Sequence, residues 1–119
     1  MEVQKINDVC IDNNQFSQLA TISFDQVYKS NNCDWTLIKL KGKFAFTFED
    51  VALYPDNNPD FSKGVSLKFL KLFETHVKDS EKLKGKYVSV IGIYNSNNRG
   101  HLNSYFASLC EVSCIKADR

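Results

Sequence analysis

KGKYVSVIGIYNSNNRGHLNSYFASLCEVSCI, residues 84–115, is the stretch whose reading decides the fold. It divides into a strand, a polar turn and a second strand. In the first half the apolar residues take both parities, with Val88, Val90 and Tyr94 on one face and Tyr87, Ile91 and Ile93 on the other. A strand apolar on both faces is covered on both faces, which predicts a central position. Gly92 sits inside that run, where glycine marks a bulge, a bend or the close approach of another backbone. The run from Asn95 to Gly100 reverses the chain. From Tyr105 onward the even positions Phe106, Cys110, Val112 and Cys114 predict one buried face, interrupted by Ser108.

Working outward, residues 37–48 repeat the pattern with a cleaner period of two. Ile38, Leu40, Phe44, Phe46 and Phe48 share one face; Lys39, Lys41, Lys43 and Thr47 share the other. Gly42 falls on the apolar face of this strand as Gly92 falls inside the later one, and two long strands that each bend at a glycine predict a small closed barrel. Residues 51–54 form a short strand ended by Pro55, and Val65, Leu67 and Phe69 alternate as another. Leu70, Phe73, Val77 and Leu83 then shift to helical spacing, which predicts a short helix over about 71–82. Upstream, Ile22 and Phe24 alternate as in an edge strand, while Ser23 also suits the cap of a helical turn through Val27 and Tyr28; both readings stay open. Residues 1–20 are polar and poorly periodic, with Val3, Ile6, Val9 and Cys10 spaced as in a short amphipathic helix.

The 119 residues make one domain over 1–119, with residues 1–20 a poorly defined N-terminal segment. Aromatic residues make up 13%, with nine Phe and five Tyr, which favours strands. Fifteen basic and fourteen acidic residues leave a net charge of +1, so a charged partner must be met by a local patch. No apolar run approaches membrane-spanning length, and no membrane partner is expected. The four cysteines, Cys10, Cys33, Cys110 and Cys114, lack CxxC spacing and stand beside only two histidines, so no metal or other cofactor is expected. Cys110 and Cys114 are about 13 Å apart on an extended strand, too far to bridge each other. They read as core thiols, and free thiols imply a cytoplasmic location.

The order strand, strand, strand, helix, strand, strand resembles the OB-fold, and the fold expected is a mainly β, OB-fold-like five-stranded β-barrel with one short helix. Residues 82–95, with Gly100 and His101 and the closing residues 111–115, resemble the C-terminal half of a family of small bacterial OB-fold-like proteins. Residues 40–44 and 48–54 resemble that family's first half; the resemblance spans about residues 22–115. Ala107 departs from the pattern, at a position where a glycine-like residue is expected, and leaves the last strand's register open. Some members of the family are immunity proteins that neutralise toxins used in bacterial competition. The resemblance therefore implies an immunity (antitoxin) protein covering the active site of a cognate protein toxin, such as a nuclease.

The candidate site residues follow from charge. Glu49, Asp50, Asp56 and Asp60 cluster around Tyr54, and acidic residues that mimic phosphates suit the basic cleft of a nuclease, where complementary charge speeds association. A solvated turn is the competing reading; a calcium loop ranks last, because the EF-hand pattern is absent. Lys39, Lys41 and Lys43, with Lys82, Lys84 and Lys86, form two basic stripes. With Tyr28, Trp35, Tyr54 and Tyr94 they offer an alternative function, a single-stranded nucleic-acid-binding module. Lysines on the outer face of a half-buried strand also keep it in solution and discourage edge pairing. His101 reads as a cap on the barrel end and His76 as a surface residue. No nucleophile beside a base, and no placed acid/base pair, can be assembled, so an enzyme is not expected. A third, weaker reading is an exported, lipoprotein-like module. The oligomeric state is open.

Overall fold

The computed structural model describes residues 9–10, 13–29, 36–47, 50–56, 60–69, 81–100 and 104–117. Its strands are β1 (Val9–Cys10), β2 (Thr21–Ile22), β3 (Leu37–Phe46), β4 (Val51–Tyr54), β5 (Val65–Phe69), β6 (Tyr87–Asn95) and β7 (Ala107–Ala117); the helices are α1 (Asn13–Gln18) and α2 (Phe24–Lys29). Five of the strands close on themselves. β3 pairs antiparallel with β4, and β4 with β5; β5 lies parallel to β7, and β7 returns through antiparallel β6 to β3. The result is the OB-fold-like barrel that the sequence pattern predicts, with residues 84–115 supplying two adjacent staves.

The interior is the predicted one along β3: Ile38, Leu40 and Phe44 are buried there beside Leu53, Val65, Val88, Val90 and Tyr94. Each such side chain contributes roughly 1.5–3 kcal/mol on leaving water. Gly42 lies on this inner face. A Cβ there would meet Phe24 Cε2 at 2.7 Å and the carbonyl oxygen of Tyr54 at 2.9 Å, so the ring of α2 enters the barrel where β3 has no side chain. Both open readings of residues 21–28 hold in sequence: Thr21 and Ile22 pair parallel to Lys39 and Leu40, and the helix starts immediately after. Ser23 and Gln26 cap it reciprocally. The Ser23 N–H donates to Gln26 Oε1 at 2.8 Å, and the Gln26 N–H donates to Ser23 Oγ at 3.4 Å. Phe24 and Val27 then plug one barrel end.

Along β7 the expected single even-numbered face does not persist. Ala107 and Leu109 enter the core first, and Val112 and Ile115 follow. Cys110 instead faces Ile93, and Cys114 faces Ile91, on the outside of the barrel. A two-residue bulge follows Leu109: the register slips between Ile91 and Ile93, and Glu111 takes φ 51°. Odd positions point inward on both sides of it, because two extra residues keep the parity, and Val112 turns inward within the bulge. Gly92 makes room for the bulge, since a Cβ there would stand 3.0 Å from Leu109 Cβ and 3.1 Å from the carbonyl oxygen of Cys110.

Of the short helix expected at Val3, Ile6, Val9 and Cys10, residues 3–8 lie outside the described residues and Val9–Cys10 form β1, the start of an N-terminal strap. β1 pairs with the free edge of β7, Cys10 opposite Cys114, and β2 pairs with the free edge of β3. Between these anchors α1 crosses the outer face of β7, β6 and β3, where Phe16 lies between Lys39 Nζ at 4.2 Å and Lys116 Nζ at 4.6 Å. This cover explains why Ile91 and Ser89, on the outside of β6, are buried. Cys10 and Cys114 form a disulfide, so the expectation of a core thiol fails for Cys114; Cys110 is a free, half-buried thiol, and the two do not bridge each other, as expected. Cys10, the partner of Cys114, lies in a segment without a readable strand signal. Of the helix predicted over 71–82, residues 71–80 lie outside the described residues, and Glu81–Leu83 form a single 3₁₀ turn that inserts Leu83 into the core. Among the described residues no helix is long and apolar enough to cross a membrane.

Candidate functional site

Strand alternation puts Leu53 inside the barrel and Ala52 and Tyr54 on its outer face, and there a second small cluster forms from Ala52, Tyr54 and Tyr105. Tyr105 arrives from the far end of the β6–β7 loop. The loop is fastened at several points: Arg99 Nε donates to the Tyr105 carbonyl at 2.8 Å, the Tyr105 N–H to the Arg99 carbonyl at 2.9 Å, and the Gly100 N–H to Asn98 Oδ1 at 3.1 Å. Gly100 has φ +72°, and a Cβ on it would stand 2.5 Å from Tyr105 Cδ2 and 2.8 Å from Ser66 Cβ. The loop backbone thus rests on the outer face of β4 and β5. In OB-folds that bind oligonucleotides, this face and its flanking loops carry the ligand; here the chain's own loop covers it.

Beneath the loop lies a polar knot. Tyr105 Oη donates to Asp50 Oδ1 at 2.6 Å, and Tyr54 Oη lies 3.0 Å from both carboxylate oxygens. The Thr47–Asp50 turn, closed by backbone hydrogen bonds in both directions, aims the carboxylate at the two rings. Burial, followed by the charge of Asp50 and its hydrogen bond, holds the Tyr54 hydroxyl far above the usual phenol range. Tyr105 is raised by burial, then by its bond to Asp50. Both hydroxyls therefore stay protonated, and the acceptor is occupied by donors of its own chain. That arrangement ties the β6–β7 loop to the turn before β4.

Beside the knot the chain makes a short exposed turn. Asp60 heads the 3₁₀ turn Phe61–Lys63, accepting from the Ser62 N–H at 3.0 Å and the Ser62 hydroxyl at 2.7 Å, which hold its carboxyl below the ordinary range. The Tyr28 hydroxyl donates to the carbonyl of Lys63 and ties the turn to α2. Phe61 stands at the crest, 48% exposed, its ring 5.5 Å from Tyr105 edge-on and 6.5 Å from Tyr54. Acidic charge lies near the Tyr28 hydroxyl that holds this turn. The Tyr28 hydroxyl is pushed up to about 12, first by burial and then by the charges of Asp25, Asp56 and Asp60, three carboxylates from two separate segments.

The sequence candidates thus divide. Asp50 and Tyr54 come together, but as a network in which Tyr54 is only 2% exposed and offers little to a partner. Asp56 and Asp60 flank the exposed turn, and Glu49 lies outside the described residues. Phe61, Asp25 and Tyr105 are not among the sequence candidates, and Tyr28 is one only for base stacking. One signal was present: Phe61 is a large apolar residue in a loop otherwise made of Asn, Asp, Pro, Ser and Lys. The lysine stripes divide as well. Lys39 is buried and donates to the Phe16 carbonyl at 2.7 Å, whereas Lys43 reaches over the exposed Tyr87 ring at 5.0 Å and Lys84 and Lys86 are exposed. An open depression of ≈ 290 Å³ lies between Asp25, Lys41, Pro55 and Tyr87. Trp35, His76 and His101 lie outside the described residues, and among the described residues no three His, Cys, Asp or Glu side chains are grouped to hold a metal.

Fold and site together define a small closed β-barrel of OB-fold type with its usual ligand face covered and an aromatic, acidic edge beside it. No protein-family model matches the chain, and neither the curated proteins nor the solved structures yield a match.

Proposed function

We propose that this protein is a binding protein that docks on a basic site of another protein, with Phe61 as its anchor and Asp25, Asp56 and Asp60 as its rim. The observation that carries the reading is the exposure of Phe61 on a turn held by its own cap and by Tyr28. Aromatic anchors dominate the energy of protein interfaces, and complementary charge at the rim speeds and orients their encounter. The particular form implied by the sequence resemblance is an immunity protein bound to its toxin. The expected cytoplasmic location rested on free thiols; the Cys10–Cys114 bond favours an oxidising compartment instead.

The test is capture of the tagged protein's partner from its native cells, with and without nuclease treatment. One polypeptide retained near one-to-one after nuclease, and lost with Phe61→Ala, supports the reading. Equal retention by Phe61→Ala sinks the proposed edge. A second reading, single-stranded nucleic-acid binding, is favoured by the exposed Tyr87 beside Lys43. Nucleic acid released by the nuclease, with no retained polypeptide, selects that reading.

A further inference from the structure

We propose that the N-terminal strap is a redox latch: thiol–disulfide exchange at Cys10–Cys114 opens and closes a cover over the outer face of β3, β6 and β7. Three observations support it. The barrel closes through β3, β4, β5, β7 and β6 without help from the strap, whose strands are only two residues each. The central core likewise draws on β3 to β7, α2 and Leu83, with Ile22 the strap's contact at its margin. The disulfide is the strap's covalent anchor, and it joins the strap to β7. What the strap covers is specific: Lys39 at 7% exposure, Ser89 at 8% and Ile91 at 0%.

The two sulfurs differ in access, because Cys10 is half-buried and Cys114 is 1% exposed. A dithiol reductant therefore attacks at Cys10 as its thiolate, forming a mixed disulfide and expelling the Cys114 thiolate, which takes up a proton. The reductant's second thiol then attacks the mixed disulfide and leaves as an intramolecular disulfide, with Cys10 released as a thiol. Two electrons pass from the dithiol to the protein pair. Once they are separated, the strap keeps no covalent tie to β7, and its remaining contacts include the two-residue pairings of β1 and β2, Ile22 at the core margin, the Lys39 hydrogen bond to the Phe16 carbonyl and the Phe16–lysine contacts. Opening exposes Lys39 and Ile91 while the barrel persists.

The full chain, purified without reductant, is treated with a dithiol and then with a short amine-acylating reagent, and modified lysines are identified by mass spectrometry. Lys39 acylation is expected to rise at least tenfold on reduction, with exposed Lys84 unchanged and the backbone amides of Leu40 and Val90 still protected from hydrogen exchange. Cys10→Ser is expected to show the fast Lys39 reaction without any dithiol. Three results overturn the proposal: absence of the disulfide before treatment, Lys39 reactivity unchanged by reduction and by Cys10→Ser, or loss of Leu40 and Val90 protection at the same step. The last would make the bond a staple for the whole fold.

Discussion

Asp50 receives two tyrosine hydroxyls at the edge of a turn, and removing either donor has a different cost from removing the acceptor. Tyr105→Phe deletes the 2.6 Å bond and leaves Asp50 with Tyr54, for a loss of about 1.5–3 kcal/mol, the usual range for a hydrogen bond to a charged group. Asp50→Ala removes the charged acceptor that both hydroxyls share, leaving them each other, and is expected to cost more than either single tyrosine change in urea unfolding. Additive losses for Tyr54→Phe and Tyr105→Phe would show that the three do not act as one unit. The same groups set an alkaline limit. Their folded-state hydroxyls are raised above the unfolded value of about 10, so their contribution is complete below that pH and is lost as pH rises, when the unfolded chain releases protons that the folded chain keeps. Wild type should lose stability above about pH 10, and Tyr54→Phe/Tyr105→Phe should flatten that slope. An identical slope would assign the alkaline loss to other groups.

At the level of the elements, the bulge in β7 carries its own prediction. Glu111 at φ 51° sits where an L side chain costs about 1–2 kcal/mol, while glycine there costs about 0.5–1 kcal/mol in unfolded-chain freedom. Glu111→Gly should therefore be neutral or stabilising by up to about 1 kcal/mol, and Glu111→Val destabilising, in the same denaturant titration. A clear loss with glycine would mean that the side chain holds the bulge. This bulge also marks the limit of sequence reading. The alternation of Ile38, Leu40 and Phe44 predicted β3 because its register never slips on the inner face, and the glycines at 42 and 92 located the close approaches correctly. Along β7 the same arithmetic failed from Ala107 onward, where odd positions turn inward, and nothing in SLCEVSCI separates a bulged strand from a regular one. The strap was unreadable for a different reason: two-residue strands have no period.

For the molecule as a whole, the β6–β7 loop over β4 and β5 makes oligonucleotide binding there unfavourable. Ser66→Lys, on that covered face, is accordingly expected to disturb folding without creating salt-dependent oligonucleotide affinity. Affinity that appears and falls steeply with salt would show that the loop leaves the face open. The binding edge was half readable. Asp56 and Asp60 stood out by charge, but the contribution of Asp25 depends on a fold that brings α2 beside the turn after β4, which spacing along the chain does not reveal.

The bond between residues 10 and 114 has one more consequence, a mechanical one. With a sequence separation of 104, the bond encloses residues 11–113 in a covalent ring whose two ends leave from neighbouring strands. Tension applied at the termini runs through the sulfur pair and bypasses the barrel. A cut in any loop inside the ring opens the chain without dividing it, so the oxidised protein would survive a single nick as one molecule.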